Sequence, residues 1–243
     1  MQLSGKAAMI SGGSRGLGAA LARRFAAEGA AVSICARSGG ATDPIVHEIR
    51  ERGGVALGFA CDVTDQGEVA AWLSATLTAL GQVDILVNNA SILGPRVPIA
   101  DYPPEVWREV VEVNLTGAYL CARECASALA KTRGSMIHVS SGVGDHGRPL
   151  WGAYCASKNG LEALSEMLAG ELVHLGIRSN AVDPGAMRTD MRAAAYPQED
   201  PQDLPLPREI LDVFVYLASD ASRDVSGQRF RAREFRWPQG DGR

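Results

Sequence analysis

Short apolar runs alternate along this chain with longer stretches in which apolar residues recur every third or fourth position. Lys6–Ser11, Ala31–Ala36, Val55–Ala60, Asp84–Asn88, Ser135–Ser140 and Ile177–Val182 are the short runs. Most are apolar on successive residues rather than on alternate ones, as strands covered on both faces should be. After the first run, Leu17, Leu21 and Phe25 fall at i, i+4 and i+8 on a helix that ends near Gly29. The same rhythm predicts helices over Asp43–Arg52, Glu68–Leu80, Glu105–Lys131, Tyr154–Leu175 and Arg208–Ala218. Strand and helix in turn make βαβ units, and βαβ units make a parallel sheet. No repeat or linker composition interrupts the series, so one α/β domain over 1–243 is expected. The segment Thr189–Pro207 breaks the rhythm. It is polar, carries Pro197, Pro201, Pro205 and Pro207, and shows no period. A loop of that length in a compact domain is expected to bind or cover a ligand.

Charge narrows the partners. Lys and Arg number 24 against 28 Asp and Glu, a formal net charge of −4. Binding to a phosphate backbone needs the opposite imbalance, so nucleic acid is not an expected partner. No apolar run approaches the roughly 18 residues that span a bilayer. The start, MQLSGKAAMISGG, lacks the apolar core of a secretory signal. A cytoplasmic protein with no membrane partner is expected. Cys35, Cys61, Cys121, Cys125 and Cys155 are scattered without a CxxC spacing. Cys121 and Cys125 lie one helical turn apart, but no Cys/His pair stands near them, so no metal is expected and reduced thiols fit an intracellular setting. Among the histidines, His138 reads as a core residue, His47 and His174 as surface, and His146 as a candidate for a pocket wall.

The first strand runs into Ser11-Gly12-Gly13-Ser14-Arg15-Gly16-Leu17-Gly18, and the first helix begins there. Glycines at 12, 16 and 18 give GxxxGxG. Residues without Cβ permit a tight turn and let the backbone approach a pyrophosphate, which the helix N-terminal amides then face. Gly12, Ser14, Arg15, Gly16, Leu17 and Gly18 are therefore the candidate phosphate cradle of a dinucleotide.

Further motifs follow in order. Asn88-Asn89-Ala90-Ser91 ends the fourth strand, Asn114 lies in the next helix, and Ser141 stands thirteen residues before Tyr154. Tyr154 and Lys158 form Tyr-x-x-x-Lys, and Pro184-Gly185 with Thr189 forms Pro-Gly-x-x-x-Thr. With these motifs the chain resembles the short-chain dehydrogenase/reductases over nearly its whole length, from about Leu3 to Gln228. The resemblance implies a doubly wound, Rossmann-type sheet of seven mostly parallel strands with helices on both faces. It also implies an oxidoreductase in which Asn114, Ser141, Tyr154 and Lys158 carry the chemistry. Asp62 and Val63 would lie on the adenine side, Asn89 and Ala90 beside the adenosine ribose, and Pro184, Gly185 and Thr189 near the nicotinamide. Homo-oligomers, dimers or tetramers built on the helices around Glu105–Lys131 and Tyr154–Leu175, would be usual.

The residues make chemical sense of that role. Hydride delivery to a carbonyl leaves an oxyanion that needs a proton and hydrogen-bond donors. A phenol is a weak acid, with an ordinary pKa of about 10. Lys158, one helical turn from Tyr154, is expected to lower it. Ser140 and Ser141 point to opposite faces of a strand end, so one of them can meet the substrate oxygen; the resemblance selects Ser141. Asn114 would hold a water that connects Lys158 to solvent.

Cofactor choice is read at the end of the second strand, where NAD sites carry an acid for the ribose hydroxyls. Here Ala36 fills that position and Arg37 follows. Arg37, with Arg15 in the glycine turn, suits a 2′-phosphate. NADPH is the expected cofactor, NAD the less favoured one.

Three departures stand out. Ser91 replaces the family's usual Gly, and Asp183 precedes Pro184-Gly185, where a carboxylate would either face the nicotinamide or turn away. The third is the C-terminus, about 226–243; from Arg223 to Arg243 there are six Arg against three acids. Alternation of Phe230 and Ala232 with Arg231 and Arg233 predicts a strand with one polar face, either a solvated edge or a surface for another subunit or an acidic partner. Ile92, Leu93 and Pro95, then Val143, Leu150 and Trp151, then Met187, Met191 and Tyr196 are candidate walls for a medium-sized, fairly hydrophobic carbonyl or alcohol substrate. The competing expectation is a catalytically silent dinucleotide-binding or sensor protein of the same fold. A nucleotide-sugar epimerase would need a larger substrate domain.

Overall fold

The computed structural model of the chain describes residues 1–238. Seven strands form one parallel sheet: β1 (Ala7–Ser11), β2 (Ala31–Ala36), β3 (Ala56–Ala60), β4 (Ile85–Asn88), β5 (Ser135–Val139), β6 (Arg178–Asp183) and β7 (Arg229–Arg231). Their order is β3-β2-β1-β4-β5-β6-β7, parallel at every step. The chain winds outward from β1 to β3, returns, and winds the other way from β4. A crevice opens above the carboxyl ends of β1 and β4, where that reversal occurs. Ser11 and Asn88 stand at its floor.

Alternation along each central strand divides the core in two. Ala8 and Ile10, Ile85 and Val87, and Ile137 and Val139 face α1 (Gly16–Ala27), α2 (Asp43–Glu51) and α8 (Asp212–Ala218), packing on Leu21, Phe25 and Phe214. Met9, Leu86 and Met136 face the other way, onto Trp72 of α3 (Gln66–Leu80) and Cys121, Cys125 and Leu129 of α5 (Gly117–Thr132). Each such side chain, taken fully out of water, contributes about 1.5–3 kcal/mol before entropy is counted. Among the described residues no helix is long and apolar enough to cross a membrane.

The structure corrects four of the expected boundaries. The helix expected over Glu105–Lys131 is α4 (Pro104–Val111), one π turn at Glu112–Thr116, and then α5. Asn114 lies in that widened turn, the kind of irregularity that often marks a functional position. The helix expected to begin at Tyr154, α6 (Gly152–Leu172), begins two residues before it. The expected loop Thr189–Pro207 contains α7 (Asp190–Ala195), started by Thr189, whose Oγ1 accepts from the Arg192 amide at 3.2 Å and which is followed by three alanines. The last helix begins at Asp212 rather than Arg208, because Pro207–Glu209 makes a 3₁₀ turn first.

Candidate active site

The glycine turn lies at the crevice as expected. Gly12 and Gly16 adopt φ of +66° and +55°, conformations a side chain would strain. A Cβ on Gly18 would stand 2.2 Å from the Gly12 carbonyl oxygen. Asn89 explains why the turn holds its shape: its Nδ2 donates to the carbonyls of Ser11 at 2.9 Å and Gly12 at 3.1 Å. The Ser11 hydroxyl in turn accepts from the amides of Asn89 and Ala90, both at 3.0 Å. Asn89 thus staples the fourth strand to the turn. No side chain caps the start of α1 at Arg15, so its first amides are free to meet an anion. The turn fits a pyrophosphate. Across it, the Thr189 methyl lies 3.7 Å from where a Cβ on Gly16 would be, so that threonine does reach the cleft.

Arg15 and Arg37 are both largely in water at the edge of the cleft. Arg15 sits 3.5 Å from Asp190, and Arg37 3.9 Å from Glu109, long pairs that leave both guanidiniums available. The Asp62 carboxylate accepts from the amide and hydroxyl of Thr64, which fixes the turn after β3. Val63 is buried against Gly117.

The catalytic candidates converge at the carboxyl end of β5. Ser140 turns inward and hydrogen-bonds Glu162, whereas the Ser141 hydroxyl stands beside the Tyr154 phenol, whose pKa it lowers. That is the division expected for neighbours at a strand end. Burial pushes the Tyr154 phenol up to about 12, the Ser141 hydroxyl opposing and the Asp183 carboxylate adding to the rise. Lys158 does not bring it down in this structure. Its Nζ lies 5.6 Å from the Tyr154 ring centroid and donates to the Val139 carbonyl at 2.7 Å. Burial lowers the ammonium itself to about 8, although Glu162 pulls the other way. The Asn114 side chain is fully engaged. Its Oδ1 accepts from the Ile92 amide at 2.8 Å, and its Nδ2 donates to the Ile92 carbonyl at 2.9 Å and to Ser157 Oγ at 3.1 Å. It ties α6 and the π turn to the strand-four loop. Asp183 is buried and accepts from the Gly185 amide at 2.8 Å, fixing Gly185 at φ +72°.

The arginine-rich C-terminus is not simply a solvated edge. Arg229, its side chain only 24% exposed, donates to the Ser141 carbonyl at 3.1 Å and pairs with Asp145 at 2.7 Å. Its Nε lies 3.0 Å from the Glu162 carboxylate as an ion pair without hydrogen-bond alignment. The guanidinium holds the Asp145 carboxyl below its ordinary value, while burial raises Glu162 above its own. Arg231, more exposed, reaches Asp145 at 3.9 Å and Glu234 at 3.5 Å. β7 spans only three residues, and Phe230, Ala232 and Phe235 pack on the core beyond it. Part of the tail expected to matter, 239–243, lies outside the described residues. His146 pairs with Asp145 on the surface side of this loop. Of the expected walls, Ile92, Leu93, Val143, Trp151, Met191 and Tyr196 pack in one cluster with Tyr154. Met187 belongs to the sheet core, and Leu150 is 43% exposed.

The family model for short chain dehydrogenases matches residues 6–200. The chain belongs to that family of oxidoreductases. A cis-4-hydroxycyclohexanecarboxylate dehydrogenase of Sinomonas cyclohexanicum is 35% identical over 231 residues, 91% of this chain and 92% of the relative. Among solved structures, a short chain dehydrogenase from Shigella flexneri complexed with NADP superposes with a TM-score of 0.92 at 31% identity, over 96% of this chain and 98% of that one. An NAD+-bound xylitol dehydrogenase does so with a TM-score of 0.87 at 27% identity, covering 95% and 98%. Members of this family thus appear with either dinucleotide.

Proposed function

We propose that this chain is an NADP(H)-dependent short-chain dehydrogenase/reductase that interconverts a carbonyl and an alcohol on a medium-sized, largely apolar molecule. The observation that carries the reading is the meeting of Ser141, Tyr154 and Lys158 at the end of β5, beside a glycine turn whose helix amides are uncapped. NADPH, when bound, supplies the hydride. The protein's part is the proton. A phenol pushed up to about 12 stays protonated throughout the neutral range, so Tyr154 is a donor to the oxygen that becomes an alkoxide. Ser141 holds that same oxygen in line, and Lys158, charged below about pH 8, supplies the positive field behind it. Asn114, Pro184 and Gly185 position these groups, and Thr189 closes the nicotinamide side. The whole apparatus sits on one domain, and exposed Tyr119 on α5, Met167 on α6 and Val173 just beyond α6 offer a face for a homo-oligomer.

Support for NADPH comes from Ala36 where an acid would stand, from the two available guanidiniums of Arg15 and Arg37, and from the NADP-bound relative. Two measurements test the proposal. Tyr154→Phe should lower carbonyl reduction by about a thousandfold or more while NADPH still binds; undiminished turnover would remove Tyr154 from the chemistry, and a wild type that binds NADPH but reduces no carbonyl would leave only a silent binding protein. Wild type should use NADPH at least about tenfold better than NADH in kcat/KM, a gap on the scale of one charge-assisted phosphate contact. Equal use of both would dismiss the cofactor assignment and leave the reaction class standing.

A further inference from the structure

Arg96, in the loop after β4, holds a charge that nothing in the described residues answers. Its guanidinium carbon lies 4.9 Å from the Trp151 ring and 4.6 Å from the Tyr196 ring. Trp151 in turn packs 5.7 Å from the Tyr154 ring. The cation and the Tyr154 ring therefore both pack on Trp151, on the wall assigned to substrate. Nη1 donates to the Ala195 carbonyl, Nε is shut off from water with no acceptor, and among the described residues no carboxylate pairs with the group.

Arg192 shows what a satisfied arginine looks like at the same place. It too stacks on Tyr196, 3.8 Å from the ring centroid, and is held by both oxygens of Glu199 at 2.6 Å. Its charge is spent. Arg148, exposed and 5.6 Å over Trp151, adds a second cation that pairs with no carboxylate among the described residues. Aromatic faces attract a cation but do not neutralise it, and removing a guanidinium from water without a counter-ion is unfavourable. A planar carboxylate on an incoming molecule is the natural complement of the donors Arg96 has left.

We propose that Arg96 binds an anionic group of the substrate, so that the molecule reduced or oxidised here is a keto acid or hydroxy acid. Its carboxylate is carried on an apolar ring or chain that lies against Trp151. The proposal rests on Tyr154 being the proton donor, and its test separates the two.

The first arm compares 4-oxocyclohexanecarboxylate with its methyl ester, which differ in charge and little else at the reacting carbon. Wild type should favour the acid by about tenfold or more in kcat/KM, carried mainly by KM, and Arg96→Gln should reduce the acid-to-ester ratio to near one. A wild-type ratio of one, or a variant in which both substrates slow and the ratio persists, would overturn the proposal; the second result would make Arg96 a strut between α7 and Trp151. The other arm needs no turnover. Calorimetry on the NADP+-loaded protein should show cyclohexanecarboxylate binding more tightly than cyclohexanecarboxamide, with the difference lost in Arg96→Gln. Equal binding of the two overturns the anion site. Absence of reduction of either ketone counts against the enzymatic reading with these probes, and the binding arm still decides Arg96.

Discussion

The two halves of the sheet are made of different material. β1, β2 and β4 carry Ala, Met, Ile, Val, Leu and Cys with Ser11 and Ser33 as polar exceptions and Asn88 at the last strand's end, and the cofactor cradle above them is mostly backbone. β5, β6 and β7 carry His138, Arg178, Asn180, Asp183, Arg229 and Arg231, most of them buried. Arg178 donates to the carbonyls of Leu217 and Ser222 at 3.0 Å, holding the chain that leaves α8. Arg229 holds the loop that follows Ser141. On the side proposed for the cofactor, shape comes from residues that lack side chains; on the side proposed for the substrate it comes from charges that must find partners. Steric failure should therefore break the first half and changes of charge the second.

The largest expected effect is on the cofactor side. A Cβ at residue 18 would meet the Gly12 carbonyl oxygen at 2.2 Å and the Asn89 amide nitrogen at 2.6 Å. Backbone on one side and a staple on the other cannot give way without opening the turn. Gly18→Val should abolish measurable NADPH binding, read by quenching of protein fluorescence, and cost more than the 1–3 kcal/mol of ordinary overpacking. Tight NADPH binding by this variant would show that the turn is more pliable than a backbone contact allows.

Next in size is an acid sensitivity that belongs to the charged half. His138 is fully buried, accepts at Nδ1 from Asn88 at 3.2 Å, and has no partner at Nε2. Burial lowers its pKa from 6.5 to about 4, with the Lys158 charge adding to the shift. The folded protein then binds fewer protons than the unfolded chain between those values, so stability falls as pH drops from about 6.5 through 4. The loss below pH 4 is about 3 kcal/mol at 1.36 kcal/mol per pKa unit. Chemical denaturation of wild type and His138→Gln across pH 4–7 isolates it: wild type should lose stability with falling pH more steeply than the variant. Parallel curves would mean that this imidazole gains a proton without penalty.

The same contrast explains what could be read before the fold was known. β2 has the limits its apolar run predicts, and the glycine turn sits where GxxxGxG places it, because both are local. Strand alternation, local too, said that Ser140 and Ser141 face opposite ways; which of them meets Tyr154 came from the family's spacing. The π turn at Glu112–Thr116 was invisible, since it accompanies the bonding of Asn114 to Ile92, 22 residues earlier. α7 carried a readable signal, Thr189 ahead of an alanine run, that the surrounding prolines masked. Lys158 was expected to acidify Tyr154 by spacing alone. Spacing says nothing of burial, which drives the phenol the other way, nor of the Val139 carbonyl that takes the ammonium. Arg229 reads as one more surface cation until Asp145, 84 residues before it, and Glu162 are beside it.

Arg229 is also where the comparison can be sharpened most finely. Its partners are 32% and 13% exposed, so solvent screens the cluster in part. Arg229→Met should therefore cost about 2 kcal/mol, below the 3–5 kcal/mol of a fully buried pair that loses one member. The loss has two sources that can be told apart. One is the unpaired charge of Asp145 and Glu162, which Asp145→Asn in the same chain should partly restore, giving a double variant more stable than additive costs require. The other is the bond to the Ser141 carbonyl, which no change at Asp145 can replace. A slower kcat with KM little changed should thus persist in the double variant after its stability has recovered. If kcat recovered together with stability, the arginine would serve only to balance charge, and the placement of Ser141 would have to come from β5 alone.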